Sequence, residues 1–464
     1  MKYILRVIVF TLFFAVTLLF LGGCDAVVPA DDGLEDAVRI VVVSDTHLMA
    51  EALLAKDGSA FQDYLASSKK LVDYSQALLD QLVSDVLAMS PKPELVLITG
   101  DLSKDGEQVS HEYVKQKLDI LKQGGIPTLV VPGNHDCGKR SKAVYYDGET
   151  TMAATTCVRF GDRDNSLEKI YADYGFVTCY QNGTASSVSV ERESAESTLT
   201  YACEPVAGLV VIGIDSGKDG GISEATLDWV CARAEASRDA GKQVIAMMHY
   251  PLIPHIAGGS HVFYPSKKND TGYGYEMVRN RLADAGIRCV LTGHYHNTDI
   301  AKDWNADLTH SIYDVLTGSL IVYPCSYRIL TFRDNMHTLS IDTKTITEAG
   351  NSLTGIPFSQ DIAKSRMLQT SIQAEIAEDL VSAGMKEDAA RIAAPFFANA
   401  YVFHAEGNEN ENLKAQSLRT MLDGMLSGVP SYLDIMNSML SDVSNMGDAD
   451  RENRTNDLAL VLSF

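Results

Sequence analysis

One pairing recurs five times along the chain and constrains the fold more than any other feature. An apolar, β-branched run is followed at once by a polar cluster. The five segments are "VRIVVVSDTH", "ELVLITGD", "PTLVVPGNHD", "QVIAMMH" and "RCVLTGHYH". Runs of this kind read as strands buried on both faces. Between them lie stretches with helical spacing, "KKLVDYSQALLDQLVSDVLAMS", "VKQKLDILKQGG", "EATLDWVCARAEA" and "YEMVRNRLADAG". The alternation argues for an α/β sheet, and in open α/β sheets ligands bind beyond the strand ends. The residues placed there are Asp45, His47, Asp101, Asn134, His135, His249, His294 and His296, which include five of the eleven histidines. Asp45 and His47 are two apart, as are His294 and His296, so in an extended chain each pair projects to one side. Imidazole with carboxylate suits zinc, manganese or iron.

The pattern changes after the fifth segment. "SIYDVLT", "SLIVYP", "YRILTF" and "HTLSID" read as strands without long helices between them, hence an antiparallel second half. Beyond residue 350 helical spacing takes over. Leu368, Ile372, Ile376 and Leu380 share one face, and Leu418, Met421, Leu422 and Met425 repeat the spacing, as do Leu433, Met436 and Leu440. Pro395 and Gly428-Val429-Pro430 break the segments. The expected organisation is an α/β domain over 37–350 and a small all-helical domain over 351–464.

The first residues, "MKYILRVIVFTLFFAVTLLFLGGC", carry Lys2 and Arg6, an apolar run from Val7 to Leu21, and small residues before Cys24. The run is shorter than the roughly 20 residues of a spanning helix and reads as a signal peptide over 1–23. "LGGC" resembles a bacterial lipobox, which implies lipidation of Cys24, an acidic linker over 24–36 and an extracytoplasmic protein tethered to the cell membrane. None of the seven later cysteines forms a C-x-x-C pair, so a structural zinc site is not expected. Disulfides Cys137–Cys157 and Cys179–Cys203 are candidates in an oxidising location. Cys231 and Cys289 read equally well as buried apolar residues. A formal net charge of −22 argues against a nucleic-acid polymer as partner. It leaves room for a small phosphate ester held at a local cation.

The ordered set D-x-H, G-D, G-N-H-D, H and G-H-x-H resembles the five motifs of the calcineurin-like metallophosphoesterases, over about residues 38 to 345. The resemblance implies an αββα double-sheet sandwich with two divalent ions at its mouth. It implies that Asp45, His47 and His296 hold one ion, that Asn134, His249 and His294 hold the other, and that Asp101 bridges them. His135 is implied as the catalytic acid and not a ligand. Two divalent ions carry more charge than Asp45, Asp101 and a bridging hydroxide remove, so such a site stays positive and draws in an anionic ester. Bound metal makes hydroxide available near neutral pH, and a histidine can protonate the leaving alkoxide.

Two departures narrow the resemblance. Purple acid phosphatases have D-x-G and a Tyr three residues after the bridging Asp, where this chain has D-x-H and Lys104. Serine/threonine phosphatases have an Asp there to orient the catalytic His. The partner of His135 therefore stays open between Asp105 and Asp136, and Asp136 reads equally as a turn residue. "GDLSKDGEQVSH", "ISEATLDWV" and "HYPLIPH" are similar to segments of bacterial class III cyclic nucleotide phosphodiesterases, which implies a place near substrate for His255. His111 reads as structural. The expected function is hydrolysis of a small phosphodiester, of the cyclic nucleotide or glycerophosphodiester type. A phosphomonoesterase or nucleotidase on the same site is the alternative, and a non-catalytic ligand-binding lipoprotein a third reading.

Overall fold

The structure, a computed structural model, describes residues 37–137, 144–153, 157–158, 163–181, 187–196, 198–264, 274–409, 412–441 and 457–464. The expected signal peptide, Cys24 and the linker lie outside the described residues. No helix among the described residues is long and apolar enough to cross a membrane.

Strands are numbered along the chain. One sheet runs β17 (Ala459–Ser463), β16 (Thr338–Thr345), β15 (Ser326–Arg333), β1 (Val38–Val43), β2 (Leu95–Ile98) and β3 (Thr128–Val130). Its β1–β2–β3 half is parallel, and β15, β16 and β17 extend it antiparallel. The second runs β13 (Asp299–Trp304), β14 (Ser311–Leu316), β12 (Cys289–Thr292), β11 (Gln243–Met247), β10 (Leu209–Gly213), β9 (Tyr201–Val206) and β8 (Glu191–Arg192). Its centre, β10 to β12 with β14, is parallel. Hairpins β4 (Val144–Tyr146) with β5 (Thr151–Ala153), and β6 (Thr178–Tyr180) with β7 (Ser187–Ser189), complete the strands described.

Alternation along the second sheet reveals the layers. Val211, Ile245, Met247 and Leu291 join the core that also holds Ile40 to Val43 of β1 and the helical Leu78, Leu82, Val114 and Leu118. Their neighbours Val210, Ile212, Val244, Ala246 and Val290 face the other way, onto Leu227, Val230 and Ala234 and onto Val278 and Leu282. The period of two thus separates an inter-sheet core from a sheet–helix core. The order is helices, sheet, sheet, helices, as expected.

Some expectations need correction. Ser319 makes an isolated parallel bridge to Ser44, and residues 320–324 form turns and a bend, so no strand forms there. β14 pairs parallel to β12, because Ser311–Leu316 returns beside it after the antiparallel β13. The helix expected from Lys69 begins at Ser75, and Lys69 and Lys70 lie in the loop before it. No disulfide forms among the described residues: all seven cysteines stand as thiols, and Cys179 is a hydrogen-bonded neighbour of Cys203.

The helical region comprises Gln360–Met367, Thr370–Ser382, Glu387–Glu406, Leu413–Leu426 and Pro430–Ser441. Leu380, Leu418, Leu422, Met436 and Leu440 form its core as the spacing predicts, with Phe397 and with Ile256 from the α/β region. Met421 instead points outward. Pro395 lies inside the helix Glu387–Glu406 and does not end it. Its neighbours Ala390, Ala393, Ala394 and Ala398 are buried on the same helix. The region is not helical to its end, since Ala459–Ser463 returns as β17 along β16. The alternation in "ALVLS" suits an edge strand, with Leu462 buried and Val461 exposed. Arg366 grips Asp73 through two contacts of 3.3 and 3.2 Å. Gln369 Nε2 donates to Ser68 O and Ser371 Oγ to Ala66 O. These bonds fix the loop that carries Lys69 and Lys70.

Candidate metal centre

Each of the eight residues at the strand ends reaches the same place, at the carboxyl ends of β1, β2, β3, β11 and β12. Backbone pairing explains the first three. The chain leaving β1 stays bonded to the chain leaving β2: Asp45 N donates to Gly100 O, His47 N to Asp101 O and Leu48 N to Leu102 O, at 3.1, 2.8 and 3.1 Å. The local conformation is not the extended one. Asp45, His47, Asp101, His294 and His296 have φ of 50°, 36°, 51°, 77° and 65°, five of the ten non-glycine residues with positive φ among those described. The D-x-H and H-x-H pairs therefore converge through left-handed turns, against the strain such conformations carry. The expected reason for their proximity was wrong, although the proximity holds.

In both carboxylates one oxygen is held by protein donors and the other faces the centre. Asp45 Oδ2 accepts from Ser44 Oγ at 2.5 Å and His294 N at 2.9 Å. Its Oδ1 is buried without a hydrogen-bond donor, 3.3 Å from His296 Nε2 and 3.6 Å from His47 Nε2. Asp101 Oδ1 accepts from His135 N at 2.7 Å. Its Oδ2 lies 3.5 Å from His47 Nε2 and 3.3 Å from His249 Nε2. Asp45, His47, Asp101 and His296 thus offer atoms that all lie within 4.8 Å of one another. Beside them Asn134 Oδ1 is 3.0 Å from His249 Nε2 and 2.9 Å from His294 Nδ1. Lone-pair atoms converge twice, with Asp101 Oδ2 between. Such a donor set fits cations, since it would otherwise leave a buried carboxylate oxygen unanswered.

Protonation favours ligand chemistry. Burial pushes the His294 and His296 imidazoles down to about 3 and about 4, and burial likewise lowers His47. At neutral pH these rings are neutral, as metal binding requires. Burial opposes ionisation of Asp101, but His249 and His47 hold its carboxyl well below the usual range. Burial also works against a charge on His249, which the Asp101 carboxylate raises to about 9. A divalent ion would take the place of that proton. Thr99 O binds His249 Nδ1 at 2.8 Å, which directs Nε2 inward.

His135 stands apart from the converging atoms, its ring centroid 4.9 Å from that of His47 and its side chain 27 % exposed. Its Nδ1–H donates to Lys104 O at 2.8 Å and Asp105 Oδ1 at 3.0 Å, which leaves Nε2 outside both bonds. Asp105 is the carboxylate beside His135, and Lys104 Nζ pairs with its other oxygen at 2.5 Å. Asp136 shapes the turn instead, accepting Gly133 N at 2.7 Å and Ser103 N at 3.0 Å. His111 is fully buried against Tyr171 Oη and Asp136 O, a structural place.

His255 departs from expectation. It is fully buried, with Nδ1 2.9 Å from Asp299 and Nε2 3.2 Å from Asp314. Asp299 and Asp314 belong to β13 and β14, so the ring is enclosed by the far edge of the second sheet and presents no face to a substrate. The resemblance of "HYPLIPH" to segments of class III cyclic nucleotide phosphodiesterases implied otherwise. Sequence reasoning also passed over two lysines at the site. Lys70 Nζ lies 3.4 Å from His47 Nδ1, and Lys69 Nζ stands 5.7 Å from the Tyr401 ring centroid. The available signal was a Lys-Lys pair in an acidic chain.

The calcineurin-like phosphoesterase profile matches residues 38–298, which contain every residue of this centre. The chain is 23% identical over 275 residues to the probable glycerophosphodiester phosphodiesterase GpdQ of Arcobacter nitrofigilis, covering 57% of this chain and 74% of that one. It is 33% identical over 101 residues to a 3',5'-cyclic-nucleotide phosphodiesterase of Nostoc sp., covering 22% of this chain and 31% of that one. A probable cyclic nucleotide phosphodiesterase of Rhodococcus erythropolis is 22% identical over 272 residues, 56% of this chain and 66% of its own length. With the profile spanning more than half its length around one cluster of carboxylates and imidazoles, the chain belongs to the calcineurin-like phosphoesterases and is a phosphoesterase hydrolase.

Proposed function

We propose that the protein hydrolyses small phosphodiesters, of the cyclic nucleotide or glycerophosphodiester type, at a centre for two divalent ions. The observation that carries this reading is the position of Asp101 Oδ2, 3.5 Å from His47 Nε2 and 3.3 Å from His249 Nε2. Asp45, His47, His296 and Asp101 would hold one ion, and Asp101, Asn134, His249 and His294 the other, as manganese, iron or zinc. Bound there, the ions would supply a water acidified toward neutrality and a positive field for phosphoryl oxygens. The neutral amide of Asn134 adds a ligand oxygen without removing positive charge. His135 delivers the proton that the leaving alkoxide needs, and the Asp105 carboxylate at 3.0 Å steadies the imidazolium before transfer. The names of the relatives favour diesters over monoesters.

The test is turnover of a bis-aryl and a mono-aryl phosphate by purified protein, after chelation and after reloading with manganese or zinc, alongside metal content per chain. Two ions per chain and metal-restored diester turnover are expected. Chelator-insensitive turnover, or none with any metal, refutes the reading. Turnover of the monoester alone replaces it with a phosphomonoesterase or nucleotidase.

We also propose that Cys24 is lipidated and tethers an extracytoplasmic protein to the membrane, a reading supported by the sequence of residues 1–24. Cys24→Ser should abolish incorporation of labelled fatty acid and release the protein from the membrane fraction. Labelling unchanged by the substitution refutes it.

A further inference from the structure

Lys69 and Lys70 have no place in the scheme above. They follow the helix Ser59–Ser67 in a short loop whose backbone is held at several points. Ala66 O and Ser68 O accept from Ser371 and Gln369 of the helical region at 2.6 and 3.0 Å. Leu71 N donates to Ile321 O at 2.7 Å, and the Leu71 side chain is fully buried. The two ammonium groups are therefore presented from an anchored loop. Their charges act on the centre: Lys70 interacts with Asp101, Asp45 and Asp105, and Lys69 with Glu375 and Asp45.

That position is costly for a metal centre alone. Cations beside a site for two divalent ions oppose metal binding, and an anion entering the centre relieves that repulsion. The contact of Lys70 with His47 points the same way. An imidazole that gives its Nε2 lone pair to a metal carries its proton on Nδ1. Nδ1 then cannot accept from an ammonium 3.4 Å away. With His47 as a ligand, Lys70 loses this acceptor, and its ammonium, which interacts electrostatically with Asp101 and Asp45, becomes available to an anion there. Lys69 stands on the side closed by the helical region, 5.7 Å from the ring centroid of Tyr401 on the helix Glu387–Glu406.

We propose that Lys69 and Lys70 form an anion subsite at the mouth of the centre. Lys70 binds a phosphoryl oxygen of the substrate, and Lys69, framed by Tyr401, sets the preference for the anionic ester. The inference rests on the proposed hydrolytic reading for its substrate class, and the helical region thereby becomes one wall of the substrate site. The chain is acidic overall, with a formal net charge of −22, so local cations are the means of admitting such a substrate.

The test uses Lys70→Met, Lys70→Arg, Lys69→Met and the double methionine variant of the full chain. Metal content and inorganic phosphate binding by calorimetry are measured beside kcat and KM for a bis-aryl phosphate. Lys70→Met should weaken phosphate binding and raise KM about ten- to a hundredfold at unchanged metal content, the scale of a charge-assisted hydrogen bond. Lys70→Arg should recover most of this, and Lys69→Met should cause a smaller loss that adds in the double variant. Phosphate affinity within twofold of the parent in both methionine variants overturns the subsite. Loss of metal in Lys70→Met, without recovery in Lys70→Arg, overturns it in favour of a structural contact to His47. Phosphate calorimetry reads the subsite even if no ester is turned over, so its failure is distinguishable from failure of the hydrolytic reading.

Discussion

Asp105→Asn isolates the part of the proposed chemistry that depends on a proton. In the parent, His135 Nδ1–H has two acceptors, Lys104 O at 2.8 Å and Asp105 Oδ1 at 3.0 Å. The substitution removes the charge of one and leaves the carbonyl in place. The tautomer is thus preserved, and the loss stays well below the ~10⁴ seen when a neighbouring Asp→Asn change reverses a catalytic imidazole. What disappears is a charge-assisted hydrogen bond to the imidazolium, about 1.5–3 kcal/mol, which corresponds to about ten- to a hundredfold in kcat. The Lys104 ammonium also loses its partner 2.5 Å away, so some loss of stability accompanies the change. The assay compares diesters with an aryl and an alkyl leaving group. An alkoxide needs the proton more than an aryloxide, so the alkyl ester should suffer the larger fall. Metal content should not change. Equal falls on both esters would refute the argument, because a general defect in positioning does not depend on leaving-group basicity.

Further outcomes follow from other contacts. In Gly133→Ala the added methyl would stand 2.2 Å from Asp101 Oδ1, which displaces the Asp101 carboxylate; metal analysis should show loss of bound metal and turnover should fall at least about 100-fold, with circular dichroism unchanged. His255→Gln unbalances two buried carboxylates, so urea unfolding at pH 6.5 should show a loss of about 3–5 kcal/mol. Burial alone would lower the pKa of His255, but Asp299 and Asp314 outweigh it and push it up to about 10. The stabilisation is therefore complete below the unfolded value of about 6.5 and lost as pH rises toward 10, and the variant should lack that alkaline decline. Adding manganese or zinc to chelated protein should raise Tm, by about 4 kcal/mol of stability at a thousandfold excess over Kd; an unchanged melting curve would count against a cation site in this cluster.

The centre was legible because each ligand candidate follows a strand that announces itself by a β-branched run. Chain order and residue type then carried Asp45, His47, Asp101, Asn134, His249, His294 and His296 to one place. Their turn geometry was not legible, since left-handed φ at Asp and His leaves no mark in the sequence as it does at Gly. Asp105 and Asp136 were indistinguishable by spacing. The division of labour between them depends on Ser103 and Lys104 lying against the loop of the third strand, a contact between separate segments. His255 was misjudged for the same reason, because its partners arrive 44 and 59 residues later in the chain. The lysines were lost to a helix extended too far toward the N-terminus. Helical periodicity gives a face but marks a start only through a cap, and here the cap residue Tyr74 makes no side-chain capping bond.

The return of the chain as β17 changes what counts as a part of this molecule. Leu339 pairs with Leu462 and Asp342 with Ala459, so the helical region is an excursion between two neighbouring strands. A cut after residue 350 does not release a self-contained catalytic fragment. It strips the outer strand and leaves the edge of β16 open to pairing with other chains. Excision from within, joining Thr345 to Ala459 by a hairpin turn, is the deletion that keeps the sheet whole. During synthesis the same topology delays the sheet's outer strand until the helical region has been made.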